Sequence, residues 1–263
     1  MNFGLIIIGD EILSGKRVDK HLPKVIDLLS ARGLALAWVR YVGDEPQRIT
    51  ADLRDAFASG DVVFSCGGIG ATPDDHTRQC AAALGRPLAL HRQARELIME
   101  RIRTMAAEQG ATADPEHPDT LRRLEMGVFP EGAQIIHNPF NKIPGFSIGD
   151  VHFVPGFPVM AHPMIESVLD TRYAHLHHGR VWQERSVIVF GSMEATLTPL
   201  MESLETRFPG VKVFSLPSVD HPQWGRHIEL GVKGDPVLLD AAYPAMLQGL
   251  QEHGAKLGPE LVR

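Results

Sequence analysis

Cysteine is scarce in this chain. Two cysteines in 263 residues, Cys66 and Cys80, are too few for a disulfide framework. Each lies in an apolar or helical stretch and reads as a small buried hydrophobe, the common state of free cysteine. Surplus positive charge is missing too. Lys and Arg number 26 against 32 Asp and Glu, a net charge of −6. The basic footprint of a nucleic-acid binder is therefore absent, and no nucleic-acid partner is expected. No run of about 18 apolar residues occurs, so no membrane partner is expected either. The opening residues, Met1-Asn2-Phe3-Gly4, lack the basic segment and cleavage site of a secretory leader. With two unpaired thiols, that points to a cytoplasmic location. Fixed-period repeats and low-complexity tracts are absent. The histidines 175, 177 and 178 have no zinc-ligand partners at clear spacing. Neither a nucleophile elbow nor a catalytic triad is legible, which argues against covalent chemistry.

What is present is an ordinary globular composition, 44% hydrophobic and 22% charged. The length suits one large domain or two modest ones at roughly 100–200 residues each. Residues 3–8 form a nearly continuous apolar run and read as a buried strand. Over 18–32, Leu22, Val25, Ile26 and Leu29 recur at helical spacing, closed by Gly33. A second strand is expected at 34–42. Asp44 and Pro46 then open a helix carrying Ile49, Leu53, Ala56 and Phe57 on one side. A third strand at 61–66 runs into a glycine-rich loop, with a helix from about 75. This β-α-β-α-β-loop-α order predicts a mostly parallel sheet covered on both faces, an α/β fold. Ligands of such sheets bind outside the carboxyl ends of the strands.

Farther on, 92–109 reads as a helix and 110–119 as a polar connection. Residues 151–154 read as a strand, followed by the turn Pro155-Gly156-Phe157-Pro158. Pro163 implies a kink or late start in the helix that reaches Leu169. Residues 171–184 read as a linker. A smaller α+β region is expected over 185–263, with strands at 185–190, 211–216 and 227–232. It carries a helix with Leu197, Leu200, Met201 and Leu204 on one face. Its last helix starts at Asp235-Pro236 and bends at Pro244.

The sharpest chemical feature is the stretch Gly67-Gly68-Ile69-Gly70-Ala71-Thr72-Pro73-Asp74-Asp75-His76-Thr77. Glycines admit positive φ and close approach of a ligand, and successive N–H groups form an anion nest. Thr72 and Thr77 offer hydroxyl donors. The pattern is neither a P-loop nor a dinucleotide fingerprint. A plain tight turn capped by Asp74 or Asp75 is the alternative. Two carboxylates beside a phosphate nest repel the anion unless a cation bridges them, as Mg²⁺ does through one or two carboxylates plus phosphates. Asp10 and Glu11, after the first strand, add carboxylates to the same sheet edge. Ser14 and Gly15 could add donors there, and a solvated loop is again the alternative. Asp44 lies there as well, with a helix N-cap as its competing role. A last pair of turns holds Asn138, Asn141, Lys142 and Gly145, then Pro155 and Gly156. They offer aromatic walls and polar groups for a ring edge, or simply ordinary Pro-Gly loops.

The motifs Gly9-Asp10-Glu11-Ile12-Leu13-Ser14-Gly15, Val42-Gly43-Asp44 and 67–77 resemble the molybdopterin-binding domain family. The wording is most similar to the amino-terminal part of competence/damage-inducible protein CinA. The resemblance covers about residues 3–170 and extends more weakly through Phe190-Gly191-Ser192-Met193-Glu194 to Gly234. It implies a three-layer α/β/α sandwich over 1–170 that assembles as a homo-oligomer, a dimer or trimer. It also implies a small-molecule phosphate ligand, nucleotide or pterin, with molybdopterin itself one candidate cofactor.

Carried over to this chain, Gly67, Gly68, Gly70 and Thr72 match the phosphate loop. Asp44 and Asp75 match acidic positions of the adenylyltransferases and are the candidate catalytic pair. Further candidates for ligand binding are Gly9, Thr77, Asn138, Gly145, Pro155 and Gly156. Asp10, Glu11, Asp74 and Asp75 are the candidate ligands of Mg²⁺, Mn²⁺ or Co²⁺. The function implied is divalent-metal-dependent hydrolysis of a nucleotide pyrophosphate bond, as in ADP-ribose or FAD. Two alternatives are a molybdopterin adenylyltransferase and a binding module without turnover. No segment matches the deamidase domain of full-length CinA, so deamidation is not expected. The chain departs from the family pattern at Ala71 (usually proline), Asn141 (usually glycine), Ile143 (usually a small residue) and Met160 (usually glutamate).

Overall fold

The structure, a computed structural model, describes residues 1–179 and 183–262. It divides into two compact units, Met1–His177 and His178–Arg263. The first unit opens with β1 (Phe3–Ile8), α1 (Asp10–Leu13), α2 (His21–Ser30) and β2 (Leu36–Val42). Next come α3 (Pro46–Ser59), β3 (Val62–Cys66) and α4 (Thr77–Ala82). An excursion follows: β4 (Leu88–Leu90), α5 (Arg92–Glu108), α6 (Pro118–Glu125) and β5 (Val128–Pro130). The chain then returns to the main sheet with β6 (Gln134–Ile136), β7 (Gly145–Ile148), β8 (Val151–Val154) and α7 (Pro158–Arg172).

The six-stranded sheet has the order β2-β1-β3-β8-β7-β6. Strands β2, β1, β3 and β8 are parallel, and β7 and β6 close the edge as antiparallel neighbours. Every residue of β1 and β3 is buried, because helices cover both faces. Leu5 and Ile7 pack with Val25 and Leu29 of α2 and Met164 and Val168 of α7. Ile6 and Ile8 point the other way, into Ile49 and Leu53 of α3 and Cys80 and Ala81 of α4. That is the expected three-layer α/β/α sandwich.

Several element boundaries differ from expectation. The helix expected over 18–32 starts only at His21, because the Asp19 carboxylate accepts the N–H groups of His21 and Leu22. The helix expected from 75 starts at Thr77. Helix α7 begins at Pro158 and runs through Pro163 rather than starting late. The carbonyl left without its helical partner belongs to exposed Val159. The polar connection at 110–119 already contains the start of α6, with Pro118 in its first turn. Of the linker expected at 171–184, α7 takes the first two residues, and a 3-10 turn spans Ala174–Leu176. Strand β9 already includes Gln183 and Glu184. Residues 180–182 lie outside the described residues.

The second unit is a four-stranded antiparallel sheet, β10-β11-β9-β12, with two helices. Its elements are β9 (Gln183–Phe190), α8 (Glu194–Arg207), β10 (Lys212–His221), β11 (Gly225–Gly234), α9 (Pro236–Glu252) and β12 (Lys256–Val262). Leu197 and Leu204 of α8 and Tyr243 and Met246 of α9 pack on Val187, Val189 and Leu230. Among the described residues no helix is long and apolar enough to cross a membrane.

Candidate functional site

Parallel pairing brings the carboxyl ends of β1, β2, β3 and β8 to one edge. Gly9 N–H donates to Val42 O (3.0 Å), and Gly67 N–H donates to Val154 O (3.0 Å). These bonds draw the loops after the four strands together around a cavity of about 440 Å³. It is lined by Gly9, Glu11, Asp44, Gly67, Gly68, Gly70, Thr72, Asp74, Asp75, Asn138, Pro155 and Gly156. Most sequence-expected site residues thus meet in one place. Arg17, Met126, Asn141, Ile143, Phe157 and Met160 join them on the walls.

The glycine loop is held from behind. Gly67 and Gly68 have φ of +109° and +68°, which L side chains rarely adopt. Thr77 Oγ1 donates to Gly67 O (3.0 Å), and Thr77 N–H donates to Gly68 O (3.0 Å). Thr77 is fully buried, which corrects its expected part in ligand binding: it anchors the loop instead. Thr72 donates both its N–H (2.9 Å) and its hydroxyl (2.5 Å) to Asp75 Oδ2. The N–H groups of Gly68, Ile69, Gly70 and Ala71 find no acceptor among the described residues. Gly145 needs a second correction. It is buried in β7, where a Cβ would lie 2.3 Å from the Phe153 carbonyl oxygen, and it does not line the cavity. Close strand packing, not ligand contact, is what demands glycine there.

The acidic side is built from β1 and β2. Asp10 N–H donates to Asp44 Oδ2 (3.0 Å), and Asp44 N–H donates to Asp10 Oδ1 (3.2 Å). Asp10, Glu11, Asp44 and Asp74 share a shallower recess beside the cavity, with Lys16 on its rim. None of these four carboxylates forms an ion pair among the described residues. Burial holds the Asp44 carboxyl above the ordinary range. Repulsion from Asp10, Glu11 and Asp74 adds to this, and the Asp10 N–H partly offsets it. Among the described residues no three His, Cys, Asp or Glu side chains converge closely enough to hold a metal ion by themselves.

Two positioning residues escaped the sequence reading. Arg78 is buried on α4, and its guanidinium donates to Gly70 O (2.6 Å) and to Glu125 O at the end of α6. An arginine on a helix face shared with Thr77, Cys80 and Ala81 was the available signal. His21 is also buried, and its Nε2 donates to Gly156 O (3.0 Å), pinning the cavity floor to the first turn of α2. Burial lowers its pKa, so the ring is neutral near pH 7.

A profile described as a probable molybdopterin binding domain matches residues 4–175. A CinA-like protein of Syntrophotalea carbinolica is 30% identical over 220 residues, 79% of this chain and 51% of that protein. The chain thus spans about half the length of that curated relative. A protein of Pyrobaculum calidifontis is 30% identical over 260 residues, 94% of each chain. The crystal structure of the protein CinA of unknown function from Thermoplasma acidophilum matches with a TM-score of 0.54 at 26% identity. That match covers 65% of this chain and 98% of that chain.

Proposed function

The chain belongs to the family of probable molybdopterin-binding domains, and from that premise we propose that its cavity binds the phosphate of a nucleotide or pterin and hydrolyses a nucleotide pyrophosphate bond of the ADP-ribose or FAD kind. One observation carries the reading. Four successive backbone N–H groups, Gly68 to Ala71, lack acceptors among the described residues, and their residues line one cavity together with Glu11, Asp44, Asp74 and Asp75. The amides call for an anion, and the carboxylates repel one. A divalent cation shared between them reconciles the two.

The residues present fit such a cation, since Glu11, Asp44 and Asp74 line one cavity and none of them forms an ion pair among the described residues. One or two carboxylates, such as Glu11 and Asp74, would hold it, with phosphate oxygens and water completing the ligand set. When bound, the cation supplies charge neutralisation at phosphorus and acidifies a water molecule. The chain's own groups do the rest. Amides 68–71 fix the phosphate. Asp44, with its raised pKa, is suited to accept a proton from the attacking water. Asp75 keeps the loop in register through Thr72 while presenting its carboxylate to the cavity.

The first test is product analysis. Purified protein is incubated with ADP-ribose, FAD, NAD or ATP, with Mg²⁺, Mn²⁺, Co²⁺ or EDTA. AMP should appear from ADP-ribose or FAD only when metal is present. No product from any pair would end the hydrolase reading. A second test is Asp75→Ala. The fold should persist by circular dichroism, with about 1 kcal/mol lost, as for a removed cap. Turnover should vanish. Collapse of the circular dichroism signal would make Asp75 a structural cap alone.

A further inference from the structure

The lining of the cavity also contains an asparagine, Asn141, whose amide is locked in one orientation. Ile143 N–H donates to Asn141 Oδ1 (3.0 Å), and a backbone N–H can only donate, so that atom is the oxygen. Asn138 Nδ2 donates to the same oxygen (2.7 Å), which fills both of its lone pairs. Asn138 is itself fixed. Its Oδ1 accepts from Phe140 N–H (3.0 Å), and its Nδ2 donates to Ile143 O (3.0 Å). Asn141 therefore has no acceptor left to offer and presents only its NH₂ group.

That NH₂ meets a poor partner. Asn141 Nδ2 lies 3.3 Å from Met160 Sδ, a thioether and a weak acceptor. No stronger acceptor engages it among the described residues. Both residues line the cavity. The turn that carries Asn141 holds Lys142 at φ +67°, a left-handed conformation that ordinarily favours glycine. Phe157 lines the same cavity with 55% of its surface exposed, a flat apolar face available to a ring.

We propose that Asn141 is a specificity-determining residue. It selects a flat heterocycle bearing an exocyclic carbonyl, which displaces the Met160 sulfur as acceptor while the ring lies along Met160 and Phe157. A ring with an amino group at that edge sets donor against donor and loses affinity. Oxopurines and pteridine-type rings share the required carbonyl, so of the two substrates proposed above the ring contact favours FAD, through its flavin, over ADP-ribose, whose only ring is adenine. The inference rests on the phosphate-cradle reading and adds the ring chemistry to it.

The test is equilibrium binding by calorimetry, using IMP, FMN and AMP with inorganic pyrophosphate as the ring-free probe. IMP differs from AMP at the purine C6 edge, carbonyl against amino. The wild type should bind IMP about tenfold more tightly than AMP, the worth of one good hydrogen bond. The stronger of IMP and FMN then says whether the ring is purine or pteridine-type. Asn141→Asp replaces the donor with an acceptor and should reverse the IMP-to-AMP order. Asn141→Gly should bring the ratio close to one while pyrophosphate binding is kept. An IMP-to-AMP ratio near one in the wild type overturns the proposal, as does an unchanged ratio in Asn141→Asp. Pyrophosphate binding without either purine nucleotide leaves the cradle standing and removes the role of Asn141. Failure of all the probes removes the cradle, and the role of Asn141 with it.

Discussion

Gly67→Ala is expected to lose pyrophosphate binding and about 2–5 kcal/mol of stability, through backbone strain and overpacking together. Gly67 sits at φ +109°, and a Cβ would stand 2.4 Å from the carbonyl oxygen of Ile8. That oxygen belongs to β1, an interior strand of the sheet, so it cannot swing aside as a side chain would. The loop must move instead, and the bond from Thr77 Oγ1 to Gly67 O goes with it. Gly60→Ala is the matched control. Gly60 caps α3 at φ +71° with nothing within 4 Å of its would-be Cβ, so only the conformational penalty of about 1 kcal/mol applies. Urea midpoints and calorimetric pyrophosphate titration read both effects. Equal losses in the two variants would mean that the loop yields freely, and the anion nest would no longer be a preformed one.

Acid is expected to destabilise the first unit well before its carboxylates titrate. His152 is fully buried and sits in a one-way chain of donors. Tyr173 hydroxyl donates to Asp150 Oδ1 (2.7 Å), so it must accept from His152 Nε2 (2.7 Å). Nδ1 then accepts from the Ser147 hydroxyl (2.7 Å). The ring is neutral with its proton on Nε2. Burial, aided by Arg172, pushes its pKa down to about 3. An unfolded chain takes up that proton below about 6.5, and the folded one does not until about 3. Stability from this group is complete above pH 6.5 and falls by about 1.4 kcal/mol per unit as pH drops toward 3. His21 and His162, also lowered by burial, act in the same direction. Denaturation midpoints between pH 7 and 4.5 should therefore fall steeply in the wild type. In His152→Gln the protein should be weaker at pH 7 but the slope shallower by about one proton. Parallel slopes would mean that the ring is protonated in the native state.

The sandwich core was legible because a parallel sheet buried on both faces has to be written as near-continuous apolar runs, and 3–8 and 62–66, broken only by Ser65 in the second, are such runs. The excursion and the strand by which the chain returns were less so. Strands β4, β5 and β6 have three residues each, too few for any periodicity to register. Strand β12 was hidden by Gly258-Pro259, which reads as a turn. It survives as a strand because it is an edge, with a register shift between Leu257 and Glu260. Pro217 lies within β10, the opposite edge. At the site, residue type identified the glycine loop and its acids, since few other roles need both together. It could not separate Thr77, which braces the loop, from Thr72, which faces the cavity, because a threonine reads the same on either side of a turn. Arg78 and His21 were missed for a related reason. Their partners are carbonyl oxygens, which every residue carries and no sequence distinguishes.

Arg78 has a wider consequence. One guanidinium grips Gly70 in the loop and Glu125 at the end of α6. The 51 residues between α4 and β6 therefore behave as an arm clamped part-way along, at Glu125. Insertions or deletions within that arm, far from the cavity in sequence, become changes in the pitch of the loop's amides. Related chains that differ in the arm would be retuned in ligand affinity without a single change in the residues that touch the ligand.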